Sequence, residues 1–362
     1  MKINRINIKS TGLLIVNLLI CYNLAISQDA YIGDKAIVKL AKAGTISFSN
    51  GTNFNINSAK CVFDGTVEFA GSGEQNINGS QNARFADLRL NNSSVLTLLR
   101  DVEVRNKLIL LNGVLYVLDN NLLIKGNASI EGNYSSASMI AVNGNGRLLK
   151  EVPGIGSYFL PVGDLTDFPD YSPVKLDFKS GKFSRGMVSV NLKNAKHPNN
   201  TNTNNYLKRF WSIRQTGISA FSCDVNLTYT NSDVVGSEIN IAGAYWNISK
   251  WTYLNQVSGK QITGNVKLLS DFTGIQRMST LASSINTDGI NVIVNKTGIT
   301  IQPDEYIVLK KIDIYNKAGQ LVYSSKLDAF ENPELSFHLN SDIYLLKIET
   351  NQETVTKKVY LP

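Results

Sequence analysis

LRLNNSSVLTLLRDVEV, residues 88–104, laid twenty positions forward on LILLNGVLYVLDNNLLI, residues 108–124, matches itself. The apolar positions coincide: Leu88 with Leu108, Leu90 with Leu110, Val95 with Leu115, Leu98 with Leu118, Val102 with Leu122 and Val104 with Ile124. Asn92 falls on Asn112, and Ser93 on Gly113. A period near twenty residues, built as strand, Asn/Gly corner, strand, is what a β-solenoid rung needs, because a rung buries its inward side chains only by stacking on the next. Asn and Gly suit the corners since both tolerate left-handed backbone. Weaker echoes lie in GTVEFAG (65–71) and GNASIEG (126–132). The competing reading is an irregular β-sandwich with a chance match, and both readings are all-β.

Outward from the repeat, residues 28–152 are rich in Asn, Gly and Ser with short apolar runs and scarcely any helical periodicity, so this whole stretch is expected to be solenoid-like. Before it, Lys2, Arg5 and Lys9 precede the apolar run GLLIVNLLI (12–20), and Ala25-Ile26-Ser27 places small residues where a signal peptidase reads. Residues 1–27 are therefore expected to be a signal peptide cleaved before Gln28. The run falls short of the roughly twenty apolar residues a spanning helix needs, and a lipoprotein signal at Cys21 lacks the usual small residue before the cysteine. No transmembrane segment is expected after signal removal.

After Val152 the texture shifts to Pro and aromatic residues around Gly. Strand candidates at 173–178, 186–192, 210–215, 223–229 and 240–245 recur with turn residues between them, as in an antiparallel β-sandwich. Its core is expected to use Phe159, Val174, Leu176, Phe178, Phe210, Trp211, Ile213, Val225, Leu227, Trp246 and Trp251, and residues 196–208 read as a mobile polar loop. The domain limits are then 28–152, 153–282 and 283–362.

The last of these carries short alternating strands at Lys311 to Tyr315, Ile343 to Glu349 and Thr354 to Leu361, with Ala318-Gly319 as a hairpin turn between the first two. Ile314-Tyr315-Asn316, Gly319-Gln320-Leu321-Val322, Tyr344-Leu345-Leu346-Lys347-Ile348 and Val355-Thr356-Lys357-Lys358-Val359 follow one another in an order that resembles the C-terminal sorting domain of the type IX secretion system of Bacteroidetes-type bacteria. The opening strand INVIVNKTGITI (290–301) lacks the usual Tyr-Pro-Asn-Pro-like segment, and Asp342-Ile343-Tyr344 replaces the usual Gly-x-Tyr, which marks a variant. The resemblance implies a small immunoglobulin-like β-sandwich and a sorting motif around Tyr315, Gly319, Tyr344, Lys347, Lys357 and Lys358. It also implies export through the type IX machinery to the cell surface or the medium, with removal of the tail near 283–289 and release or attachment to surface lipopolysaccharide.

Chemistry is sparse. The net charge of +7 is modest for 362 residues and dispersed, which argues against a nucleic-acid partner. His197 and His338 are the only histidines and neither has triad or zinc-site neighbours; no nucleophile elbow, HExxH or P-loop occurs. Cys61 and Cys223 are expected as free thiols, a disulfide being the alternative. Asp164, Asp167 and Asp170 in GDLTDFPDYSP could gather oxygens around Ca²⁺, though turn chemistry beside Gly163 and Pro169 is the favoured reading. No cofactor is expected. Tyr245, Trp246, Trp251 and Tyr253 are candidates for stacking on sugars, against a packing role. The expectation is a structural or adhesive non-enzyme whose further partners are glycans or other surface proteins; the alternatives are a polysaccharide-binding module, or a β-helix lyase or glycoside hydrolase.

Overall fold

Alternation explains how the repeat folds: in an extended chain every second side chain points the same way, so a rung with apolar residues at alternate positions has one dry face. The computed structural model describes residues 6–8, 14–15, 29–277, 290–295, 298–303, 307–326, 334–335, 340, 342–351 and 353–361. Apart from two single-turn 3₁₀ helices, Asn231–Asp233 and Glu238–Asn240, the elements among the described residues are strands. Contacts divide the chain into two units, Met1–Arg277 and Met278–Pro362.

The first unit begins as a parallel solenoid with three ladders. The first runs from Val38–Leu40 through the starts of Cys61–Gly71, Ala83–Leu98 and Val102–Tyr116 to Leu122–Ile124 and Leu148–Glu151. The second stacks Thr45–Phe48 on the later parts of the same long strands and ends at Ser129–Gly132. A third links Ala30–Ile32, Phe54–Ile56 and Gln75–Asn78 to residues 96–98, then passes through the end of Val102–Tyr116 to Ser138–Ala141 and Val162–Asp164. Inward columns such as Phe48, Phe69, Leu90 and Leu110 are buried, and Phe63 lies 5.4 Å from Phe85 between ring centroids. The short segments Ile6–Ile8 and Leu14–Ile15 pair in parallel with Ala30–Ile32 and Val38–Leu40. The expected cleavage residues Ala25 and Ser27 lie outside the described residues.

The repeat is present, with its register shifted twice around the corner. Leu88 pairs with Leu108, Leu90 with Leu110, Val102 with Leu122 and Val104 with Ile124, as superposition of the sequence predicts. After the corner, however, Val95 pairs with Val114 and Leu96 with Leu115, and Asn91 rather than Asn92 lies opposite Asn112. The first copy spends Asn92, Ser93 and Ser94 where the second spends only Gly113. Asn92 turns inward instead, donating to the Gly73 carbonyl at 2.7 Å and to Gln75 Oε1 at 2.6 Å, while its own Oδ1 accepts the Ser94 amide at 2.9 Å. Gln75 in turn donates to the carbonyls of Phe48 and Thr52, so this buried polar pair is fully partnered.

The stack passes into antiparallel structure at Leu148–Glu151, whose free edge pairs with Met187 to Val190. Loop carbonyls at this junction are satisfied by side chains. Lys150 Nζ donates to the carbonyls of Lys125, Gly126 and Ala128 at 2.7, 3.1 and 2.8 Å, and Asn191 Nδ2 reaches those of Val142, Gly144 and Gly146. Burial pulls the Lys150 amine down to about 8, against the opposing charge of Glu151. One apolar core runs from Ile32 to Phe272 and includes Val152 itself.

Two long strands dominate the antiparallel part, Val174–Lys193 and Phe210–Thr228, each of which the sequence pattern divides in two. The division marks the bulges around Ser180 and between Phe183 and Met187, where Gly181, Arg185, Gly217 and Ala220 take positive φ. Val174, Leu176, Phe178, Trp211, Ile213, Val225 and Leu227 are buried as expected. Phe159 is not: it is 42% exposed and rests against Tyr134. Phe210, Trp246 and Trp251 are only half-buried, because the pleat that sends Trp211 inward sends Phe210 out. Residues 196–208, expected to be a polar loop, are partly packed: His197 and Leu207 are buried, and Tyr206–Leu207 pairs with Val234–Val235.

In the second unit, Ile290–Asn295 and Gly298–Pro303 form a hairpin, and Glu334–Leu335 pairs with its second strand. A four-stranded antiparallel sheet follows in the order Leu321–Lys326, Leu309–Asn316, Asp342–Thr350, Thr354–Leu361. Ile290, Val292 and Ile301 share a core with Ile312, Ile314, Leu346, Ile348, Val355 and Val359. Two small sheets around one core make a β-sandwich.

Candidate functional site

The acidic loop, whose aspartates read in sequence as turn chemistry with a Ca²⁺ site as the alternative, is built around an arginine. Asp164 and Asp170 lie on paired short strands, Val162–Asp164 and Asp170–Tyr171, and both face Arg209. The fully buried Arg209 guanidinium bonds Asp164 through Nη1, Asp170 through Nη2 at 3.0 Å and Asp233 through Nε at 2.8 Å. Burial opposes its charge, but Asp233 and Asp164 more than compensate and raise its pKa. Arg209 thus sits where a cation would. Asp164 also accepts the Thr166 amide at 2.8 Å, and Asp167 is exposed in a left-handed conformation at φ +61°. Neither Arg209 nor Asp233 stands out in the sequence, since they lie 45 and 24 residues from their partners Asp164 and Arg209.

The candidate sugar-stacking aromatics largely engage one another. Trp246 and Trp251 meet edge to face at 5.1 Å, Trp251 Nε1 donates to the Asn199 carbonyl, Tyr245 packs on Phe272, and Tyr253 donates to the Gln276 carbonyl. His197 lies among Phe210, Trp246 and Trp251 and contacts Asp271 Oδ2 at 3.3 Å, while Asp271 Oδ1 pairs with Arg214 at 2.6 Å. Burial works against the Asp271 carboxylate, but His197 and Arg214 hold it down to about 2. A carboxylate depressed in the folded state stabilises the fold above its unfolded value near 4. That contribution is lost as pH falls through the folded value. Acid unfolding of Asp271→Asn should therefore be less steep between about pH 4 and 2 than that of the parent chain, as read by tryptophan fluorescence.

Cys61 and Cys223 are both free, Cys61 half-buried and Cys223 buried. Burial pushes their thiols up to about 11 and about 12, which makes both poor nucleophiles at neutral pH.

In the C-terminal unit, the hairpin between its first two sheet strands is set by Asn316, whose Oδ1 accepts the amides of Ala318 and Gln320, each at 3.0 Å, with Gly319 at φ +76°. Tyr344 points into the core and donates from its hydroxyl to the Asn340 carbonyl at 3.0 Å. Lys347 and Lys358 are exposed, Lys357 and Tyr315 half-buried, and His338 lies outside the described residues. Asp313, buried on the outer face, is held by Lys311 at 2.7 Å and Ser324 at 2.6 Å, which lower its pKa.

Residues 291–361 match the family model of the secretion system C-terminal sorting domain. The chain carries a type IX sorting domain. The sorting domain directs the protein across the outer membrane, to the cell surface or the medium, and implies interaction with the type IX machinery. Comparisons with curated proteins and with solved structures return no match. Among the described residues no helix is long and apolar enough to cross a membrane.

Proposed function

We propose that this protein is a non-catalytic, structural or adhesive β-rich cargo of the type IX system, made with a cleavable signal peptide and held at or released from the cell surface. The observation that carries the reading is the sorting domain at 291–361 joined to a body of stacked strands on one continuous core. The body's acidic cluster is taken up by Arg209, which supports a role in stability over one in chemistry. Purified from the medium or surface, the protein is expected to leave polyuronates intact. Cells lacking the gene are expected to attach more weakly to surfaces. Release of unsaturated oligouronates would instead establish a lyase.

One observation favours a polysaccharide-binding role as the second reading. A cleft of about 360 Å³ on the antiparallel sheet is lined by Lys175, Asp177, Asp224, Asn226, Thr263 and Asn265, groups that exchange hydrogen bonds with hydroxyls. Asn265 already bonds Asp224 at 2.7 Å, so a sugar bound there would have to displace that contact. Retention on immobilised glycans that Asn226→Leu abolishes would support this role.

A further inference from the structure

The sorting domain's four-stranded sheet is apolar on both faces over half its length. Its inner face carries Ile312, Ile314, Leu346 and Ile348 in the core. The outer face divides across the strands. In one half Ser324, Asp313, Lys347 and Thr356 form a cross-strand row, with Lys326, Lys311, Glu349 and Thr354 beyond it. The other half holds the row Leu321, Tyr315, Leu345, Lys358, followed by Ile343 opposite Tyr360. Leu321 is 53% exposed, Leu345 41%, Ile343 38% and Tyr360 45%.

A sheet with one face in water ordinarily alternates apolar-in and polar-out. A contiguous apolar stripe across four strands, exposed on three of them with the half-buried Tyr315 between, therefore marks an interaction site. Exposed Lys347 and Lys358 border the stripe, whereas Asp342, the acid at its margin, is paired with Lys317 at 3.0 Å. The border is thus basic on balance.

We propose that the outer-face stripe of Leu321, Tyr315, Leu345, Ile343 and Tyr360 is the surface by which the type IX machinery holds this cargo, through a component presenting an apolar patch flanked by carboxylates. The proposal rests on the sorting-domain assignment and adds to it the face that is used. Burial of the stripe supplies affinity, and the bordering lysines supply orientation and encounter rate.

Leu345→Glu in the full-length chain, expressed in a type IX-secreting host, tests it. The new carboxylate lies directly opposite Lys358, a cross-strand pair that supports the sheet, while the stripe loses its centre and gains the wrong charge. Surface and medium protein is expected to fall at least tenfold. Leu321→Gln, on the edge strand, should fall in the same direction, and Leu345→Met should export normally. Thr356→Glu, opposite Lys347 in the polar half, makes the same kind of pair and should also export as the parent does.

Normal export of Leu345→Glu would overturn the proposal, as would equal loss in Thr356→Glu or in Leu345→Met. A chain lacking residues 290–362 separates the two levels. If that chain is retained while Leu345→Glu is exported, only the chosen face is wrong; if the truncated chain is itself exported, the sorting assignment fails.

Discussion

Arg209→Met is expected to cost about 3–5 kcal/mol of folding stability, a loss measurable as a lowered denaturation midpoint with an unchanged slope. The arginine is fully buried and neutralises Asp164 and Asp233, both also buried, and the 22%-exposed Asp170. Removing it leaves up to three carboxylates facing one another without a counter-ion. Methionine fills much of the volume but supplies no donor. The network also ties together distant pieces of chain: Asp233 accepts the Thr230 amide at 2.7 Å, and the Arg209 carbonyl accepts the Thr273 hydroxyl at 2.6 Å. Asp170→Asn should cost far less, because that carboxyl is partly in water and burial together with its acidic neighbours already raises its pKa. Equal losses for the two variants would show that the arginine does not organise the cluster.

Gly113→Ala is expected to be nearly as damaging. Gly113 turns the corner at φ +97°, a conformation that costs a side-chain-bearing residue of order 1–3 kcal/mol, and its Cβ would lie 1.7 Å from the Asn92 carbonyl of the rung before. The corner must move, and with it the pairing of Val114 with Val95 and with Met139. The total should reach about 3 kcal/mol or more. Gly319→Ala, also at positive φ but with no atom within 4 Å of the added Cβ, isolates the conformational part in the second unit and should cost less. Thermal unfolding of the two variants makes the comparison.

Those two sites differ in how far the sequence exposes them. Gly113 is visible because a solenoid repeats locally, so residues twenty apart in sequence become neighbours and a corner glycine aligns with Ser93. The same locality makes the first two ladders readable, and the register error after the corner arises because Asn92 looks like a corner residue but points inward to Gln75. The Arg209 cluster is hidden for the opposite reason: its members meet only after antiparallel strands cross, and a lone arginine carries no periodic signal. The long strands Val174–Lys193 and Phe210–Thr228 look broken in sequence because bulges reset the alternation midway. Phe159, Phe210, Trp246 and Trp251 are misplaced by size alone, since a large aromatic is equally at home in a satellite cluster around His197 or against Tyr134. In the sorting domain the motif strands are readable, while the division of the outer face into polar and apolar halves depends on the cross-strand register.

Fractionation of cells expressing the chain without residues 290–362 tests the central claim most directly. The truncated chain keeps the whole first unit, Met1–Arg277, and loses the segment that matches the sorting family. Retention inside the outer membrane, with the full-length chain at the surface or in the medium, is the predicted result. Undiminished delivery of the truncated chain would contradict it.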